Sequence, residues 1–171
     1  LKKKKKNYTG FLYVGLMVKN NEPYLIEYNV RMGDPECQVI IPRLETDILK
    51  IFNKLTKNNL NKIKIKWKKS KCMTIVLCAK GYPKKYQKDI KIENIKKIKE
   101  RKNLFIFHAG TRFINGEYFS VGGRVLNFTA LGSKFLTIRR NILRILKNLN
   151  WKKGFYRKDI GWRAIKNNAN Y

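Results

Sequence analysis

The sequence predicts a mixed α/β protein of the α+β kind. Three observations carry this. Short apolar runs bounded by glycine, proline and asparagine clusters recur along the chain, as strands and turns do. Two stretches, after Thr46 and after Ser133, instead repeat apolar residues at helical spacing. Finally, 43% of the 171 residues are hydrophobic, enough to bury a real core and to exclude a wholly disordered basic tail.

Taken in order, Phe11–Val18 and Tyr24–Val30 are continuous apolar runs separated by Lys19, Asn20 and Asn21. They read as neighbouring buried strands joined by a tight turn. Gly33, Asp34 and Pro35 then break the chain. Thr46-Asp47 can cap a helix whose apolar face is Ile48, Leu49, Ile51, Phe52 and Leu55. Asn58–Asn61 marks a boundary, dividing the chain into residues 1–62 and 63–171. Beyond it, Cys72–Ala79 is a buried strand closed by Gly81-Tyr82-Pro83, and 84–102 is a charged stretch of weak strand content. Leu104–His108 is a further strand. A hairpin is expected around Asn115-Gly116, because that dipeptide suits the paired positive φ angles of a two-residue turn. Gly122-Gly123 leads into the strand Arg124–Leu131. Ser133 opens the clearest helix, with Phe135, Ile138, Ile142, Leu146 and Leu149 on one face.

The charge of +29, from 40 Lys+Arg against 11 Asp+Glu, invites a nucleic-acid reading. Composition weakens it. Lys outnumbers Arg 30 to 10, and Asn and Ile are also abundant. A phosphate-binding surface gains nothing from Asn and Ile and often prefers the bidentate fork of Arg, whereas A/T-rich codons favour Lys, Asn and Ile alike. Nucleic acid is therefore not the expected partner, and a basic nucleic-acid-binding module stands as the rival reading. Cys37, Cys72 and Cys78 form no C-x-x-C and His108 is the single histidine, so no zinc site assembles by spacing. No apolar run is long enough to span a bilayer, and Lys2–Lys6 is not followed by a signal-peptide core. A soluble, cytoplasmic protein with no membrane partner is expected. The chain begins with Leu1 rather than Met, so a piece of something longer is expected too, with the Lys2–Lys6 run capping a helix end.

The chemistry-bearing segment is Glu27-Tyr28-Asn29. Strand alternation puts Glu27, Asn29 and Arg31 on one face. A carboxylate and an amide oxygen two residues apart can both reach one hard cation such as Mg2+ or Mn2+, which also binds substrate phosphates. Arg31 beside them could hold a phosphate oxygen. Gly33, Asp34, Pro35 and Glu36 follow on a loop where backbone can approach a ligand closely. By residue type alone, a strand end with solvated polar residues explains the same pattern. His108 reads as a packing residue, and Gly122-Gly123 as a turn.

Gly10–Met17, then Ile26–Glu36, Gln38 and Pro42-Arg43-Leu44, resemble the closing part of the ATP-grasp domain of the phosphoribosylamine–glycine ligase (glycinamide ribonucleotide synthetase) family. The resemblance continues through Ala79–Pro83, Phe107–Thr111, Gly122–Leu126, Thr129–Gly132 and Tyr156–Ala164, in the family's order. It implies the end of an ATP-grasp domain followed by a small, β-rich, mixed C-terminal domain. It implies an ATP-dependent C–N ligase that joins glycine to 5-phosphoribosylamine through a glycyl phosphate, in purine biosynthesis, with ATP as co-substrate. By the family pattern Glu27 and Asn29 are metal ligands and Arg31 faces the transferred phosphate. Gly33, Asp34, Pro35 and Glu36 shape the substrate side, with Asp34 a partner for the glycine ammonium. Arg157–Arg163 is expected to dock the C-terminal domain. Phe11–Lys19 lacks the acid that many ATP-grasp relatives carry there, and Lys88-Asp89 lacks the usual following glycine, so that loop is expected to differ in shape. Nothing in the chain resembles the family's N-terminal substrate domain, nucleotide lid or hinge. The missing N-terminal part of the same enzyme is therefore an expected partner, and the chain alone is expected to be inactive.

Overall fold

The computed structural model describes residues 8–99 and 101–167. The Lys2–Lys6 run lies outside them. The described chain is mixed α/β and divides into two units between Lys68 and Lys69.

In the first unit, β1 (Tyr13–Lys19) and β2 (Glu22–Asn29) pair antiparallel, from Lys19 opposite Glu22 to Tyr13 opposite Asn29. Asn20 and Asn21 both take positive φ, at 52° and 63°. A two-residue turn matched to strand twist demands this, and asparagine tolerates it. The pairing is as the sequence predicts, but the burial is not. Both strands form a two-stranded sheet whose apolar side chains stay open, with Met17 59% and Ile26 62% exposed. An apolar run reports what a strand is able to bury, not what lies over it.

A short helix follows, α1 (Cys37–Arg43), where the sequence suggested only a break. Pro42 inside it and the β-branched run Val39-Ile40-Ile41 hid it from pattern reading, since both disfavour helix. Pro42 is tolerated one residue from the end, where Leu44 N–H turns back to the Ile41 carbonyl. α2 (Ile48–Thr56) starts as expected: the Asp47 carboxylate accepts from Leu49 N–H at 2.7 Å and Lys50 N–H at 3.4 Å. Ile48, Ile51, Phe52 and Leu55 are half-buried, but Leu49 is 69% exposed and does not belong to that face. Phe52 meets Phe11 edge-on, with ring centroids 5.8 Å apart. Trp67 bridges back to Leu44 at the end of the unit.

The second unit holds a four-stranded antiparallel sheet ordered β5-β8-β3-β9. Its strands are β3 (Lys71–Ala79), β5 (Leu104–His108), β8 (Arg124–Gly132) and β9 (Gly154–Phe155). A smaller sheet, β4-β7-β6, is made by β4 (Ile90–Lys91), β6 (Thr111–Ile114) and β7 (Glu117–Ser120). Asn115 and Gly116 close β6 onto β7 with φ of 47° and 78°, as the sequence predicts. α3 (Phe135–Leu149) packs on β3 and β8. Ile138, Ile142, Leu146 and Leu149 meet a core that includes Met73, Ile75, Leu77, Leu126 and Phe128. Ser133 does not cap α3: the boundary residue is Lys134, with no side-chain cap. Ile92 and Ile95, in the stretch the sequence marked as charged and polar, are buried at 1% and 5% exposure. A short α4 (Trp162–Asn167) ends the described chain. Among the described residues no helix is long and apolar enough to cross a membrane.

Candidate functional site

The antiparallel register sets the face that carries the chemistry. Tyr13 stands opposite Asn29 and Gly15 opposite Glu27, so these four positions share one side of the hairpin. A methyl group on Gly15 would lie 3.0 Å from Glu27 Cγ, so the glycine leaves the Glu27 side chain its room. Glu27 is exposed and Asn29 half-buried. Both offer oxygen, the donor a hard cation takes. Among the described residues no three His, Cys, Asp or Glu side chains gather into a metal cluster. A carboxylate and an amide fit an ion that keeps waters and substrate oxygens as its remaining ligands, as Mg2+ does, and not an ion needing a full protein cage.

β2 ends at Asn29, so Arg31 lies beyond the strand on a bend, and alternation does not carry to it. Its guanidinium is exposed, and Nη1 donates to the Met32 carbonyl at 2.9 Å.

The loop expected at Gly33–Glu36 is tied into the start of α1. Cys37 N–H donates to Gly33 O at 2.9 Å, and Ile40 N–H donates to Glu36 O at 3.0 Å. Gly33 is buried, and any Cβ there would collide with the Glu36 carboxylate and lie 3.1 Å from the Tyr13 ring. The Tyr13 hydroxyl lies 3.4 Å from Glu36 Oε1, as donor to it. The Glu36 carboxylate pushes the Tyr13 phenol above its ordinary pKa, followed by partial burial, that hydrogen bond and, last, the Glu27 carboxylate. The same tyrosine therefore feels both acids. Asp34 Oδ1 accepts from Gln38 Nε2 at 3.2 Å, while Gln38 Oε1 is buried with no protein donor. Burial, and then the Asp34 charge, push the Cys37 thiol up, which leaves it a poor nucleophile.

The structure thus places Glu27 and Asn29 on one face and gathers Gly33, Asp34, Pro35 and Glu36 at the α1 entrance, with Tyr13 joining the two groups. Tyr13, Gly15 and Gln38 escape a residue-type search because none belongs to the residue types searched for as metal or phosphate ligands. The strand register is the signal that exposes the first two.

In the second unit, His108 sits at the exposed end of β5. Its Nδ1 lies 2.9 Å from Thr111 Oγ1, and its ring lies 4.7 Å from that of Tyr118. Gly122 and Gly123 serve close packing: a side chain on Gly123 would enter the Tyr82 ring. Asp89 takes a φ of 55°, so the loop that lacks the expected glycine still adopts a left-handed backbone there. Arg157 grips Asp159 through Nη2 at 2.6 Å and Nε at 3.1 Å.

Comparison with known proteins matches residues 72–163 to the family described as phosphoribosylglycinamide synthetase, C domain. Residues 1–37 match its ATP-grasp (A) domain. The phosphoribosylamine–glycine ligase of Brucella melitensis is 40% identical over 158 residues, which cover 92% of this chain and 37% of that protein. The chloroplastic ligase of Arabidopsis thaliana is 39% identical over 163 residues, covering 93% and 31%. The crystal structure of the Thermotoga maritima phosphoribosylamine–glycine ligase superposes with a TM-score of 0.68 at 31% identity, covering 92% of this chain and 38% of that one. The chain spans about a third of the length of these relatives.

Proposed function

The chain belongs to the phosphoribosylglycinamide synthetase family, and we propose that it supplies the C-terminal part of a phosphoribosylamine–glycine ligase. Residues 1–62 would form the end of the ATP-grasp domain and residues 63–171 the ligase C-terminal domain. The observation that carries the reading is the shared face of Glu27 and Asn29, opposite Gly15 and Tyr13, on a strand that leads directly into the Gly33–Glu36 turn.

In the proposed reaction a glycine carboxylate oxygen takes the γ-phosphoryl group of ATP, releasing ADP. The phosphoribosylamine nitrogen then attacks the acyl carbon of the glycyl phosphate and expels inorganic phosphate. No protein nucleophile is needed. The barrier falls by positioning and by charge placed against the phosphoryl oxygens. Glu27 and Asn29 would hold Mg2+ or Mn2+, which when bound neutralises charge on the ATP phosphates. Arg31, exposed just past β2, would offer its fork to the transferred phosphate. Asp34 would receive the glycine ammonium, with Gln38 fixing its carboxylate. Gly33 leaves room for the Glu36 side chain, and Pro35 and Glu36 complete the substrate wall under the Tyr13 hydroxyl. The open apolar hairpin would be covered by the remainder of the ligase, and a cytoplasmic setting suits such an enzyme. The nucleic-acid reading is not favoured, because the family match extends over most of the chain.

The test is a chimera in which this chain replaces the matching C-terminal region of the Thermotoga maritima ligase. We expect ATP- and glycine-dependent ligation, and a loss of kcat on the order of 10²–10³ for Glu27→Gln. A Glu27→Gln chimera as active as its parent would overturn the assignment.

A further inference from the structure

The second unit has a cleft of about 450 Å³ lined by Lys80, Lys85, Tyr86, Gln87, Ile90, Ser120, Lys152 and Lys153. We propose that this cleft binds a polyphosphate-bearing small molecule, because it converges four lysines and no carboxylate on one concave site. The inference does not rest on the ligase reading.

Most lysines in this chain are scattered, and their number alone says nothing about a ligand. These four are brought together by fixed backbone. Lys80 follows the end of β3, and its N–H donates to the Lys153 carbonyl at 2.8 Å, beside the pairing of Ala79 with Gly154. Lys152 and Lys153 follow Trp151, which is 5% exposed and whose indole N–H donates to the Lys91 carbonyl at 2.9 Å. A side chain on Gly154 would enter that indole, so the strand must pass close over it. Lys85 and Tyr86 are held from the other side. A Cβ on Gly81 would collide with the Lys85 carbonyl, and Tyr82 meets the Tyr86 ring edge-on at 6.1 Å. Ser120, also in the lining, donates to the Ile90 carbonyl at 3.3 Å.

The lining residues include four lysines, Gln87 and Tyr86, all able to donate, beside the apolar Ile90. The neighbouring acids are engaged elsewhere, Asp89 with Arg112 at 3.8 Å and Glu117 with Lys91 and Lys96 at 3.6 and 3.3 Å. None of the four cleft lysines is ion-paired among the described residues. Four like charges around one concavity repel one another and focus potential into it, so they favour an anion that can meet several at once. One orthophosphate engages fewer of them than a chain of two or three phosphates.

The experiment is calorimetric titration of the full chain with tripolyphosphate, ADP and orthophosphate. It uses the parent, a cleft variant (Lys80→Gln, Lys152→Gln, Lys153→Gln), and a variant losing equal charge from α2 and the residue that ends it (Lys50→Gln, Lys54→Gln, Lys57→Gln). Tripolyphosphate is expected to bind the cleft variant about tenfold or more weakly than the parent, and the α2 variant within about twofold. Orthophosphate should bind the parent at least about tenfold more weakly than tripolyphosphate. ADP binding that falls in step with tripolyphosphate identifies a nucleotide as the source. Tripolyphosphate binding alone identifies a phosphate chain without a base. Equal weakening by the two variants, equal binding of orthophosphate, or no binding at all overturns the proposal.

Discussion

At the scale of single residues, the sharpest constraints come from backbone meeting backbone. A Cβ on Gly110 would lie 2.5 Å from Gly122 Cα and 2.7 Å from the Arg124 carbonyl oxygen. Neither neighbour can rotate away as a side-chain tip could. Gly110→Ala should therefore cost about 2 kcal/mol or more, read as a lower midpoint in urea unfolding of the second unit. The Arg157–Asp159 pair makes a pH-dependent prediction. The guanidinium hydrogen bonds hold the Asp159 carboxyl below its ordinary value. A group whose folded pKa is depressed adds stability above its unfolded pKa and loses it as the pH falls through the folded value. Arg157→Ala should lower the melting temperature at neutral pH, and the gap from the parent should close as the pH drops below the carboxylate range. Both side chains are exposed, so the gap will be small. A gap unchanged across that range contradicts the pair's role. At this scale residue type and spacing made Glu27 and Asn29 candidates, and the family resemblance proposed a metal for them. The sequence hid Tyr13 and Gly15, because their part depends on which residue of β1 faces which residue of β2.

Among the elements, α3 was the most legible, since four of its five predicted face residues are fully buried against β3 and β8. Ile142 is 0% exposed. Ile142→Ala should cost about 2–5 kcal/mol by lost transfer energy and cavity formation, whereas Arg140→Ala on the exposed side should change stability by less than about 0.5 kcal/mol. Chemical denaturation of both variants checks the contrast. The β6–β7 hairpin was equally legible, because Asn115-Gly116 meets a local backbone requirement that nothing distant can alter. α1 was not. Its seven residues hold a proline and three β-branched side chains, so local propensity argues against the helix that forms. The first turn is held by i→i−4 backbone bonds from Cys37 and Ile40 back to Gly33 and Glu36, and side-chain periodicity does not record a turn that starts on a glycine and a proline. Leu49 failed for the opposite reason: it is apolar and sits at helical spacing, yet it lies off the packed face.

For the whole molecule, composition misleads in two ways that structure corrects. The asparagine excess reads as coding bias, yet Asn20, Asn21, Asn58, Asn94, Asn115 and Asn150 all hold positive φ. Asparagine takes that conformation at less cost than other non-glycine residues, so the bias has been put to use in turns and caps. The apolar wealth of β1 and β2 reads as core, yet the hairpin leaves Leu16, Met17, Val18, Tyr24, Ile26 and Tyr28 more than half exposed. Exposed apolar area of this kind marks an interaction surface. It accords with a chain that covers 37% of the Brucella melitensis ligase and whose proposed partner is the remainder of such an enzyme. We propose that this chain supplies a metal-binding strand and the C-terminal domain of a ligase and does not complete the reaction alone. The most direct measurement is glycine-dependent ADP release from ATP in the presence of phosphoribosylamine, with the isolated chain and with the chain mixed with a separately produced N-terminal ligase portion. No release above background is expected from the chain alone; release is expected from the mixture and should be lost with Glu27→Gln. Glycine-dependent turnover by the isolated chain, or a fully active Glu27→Gln mixture, would contradict the proposal.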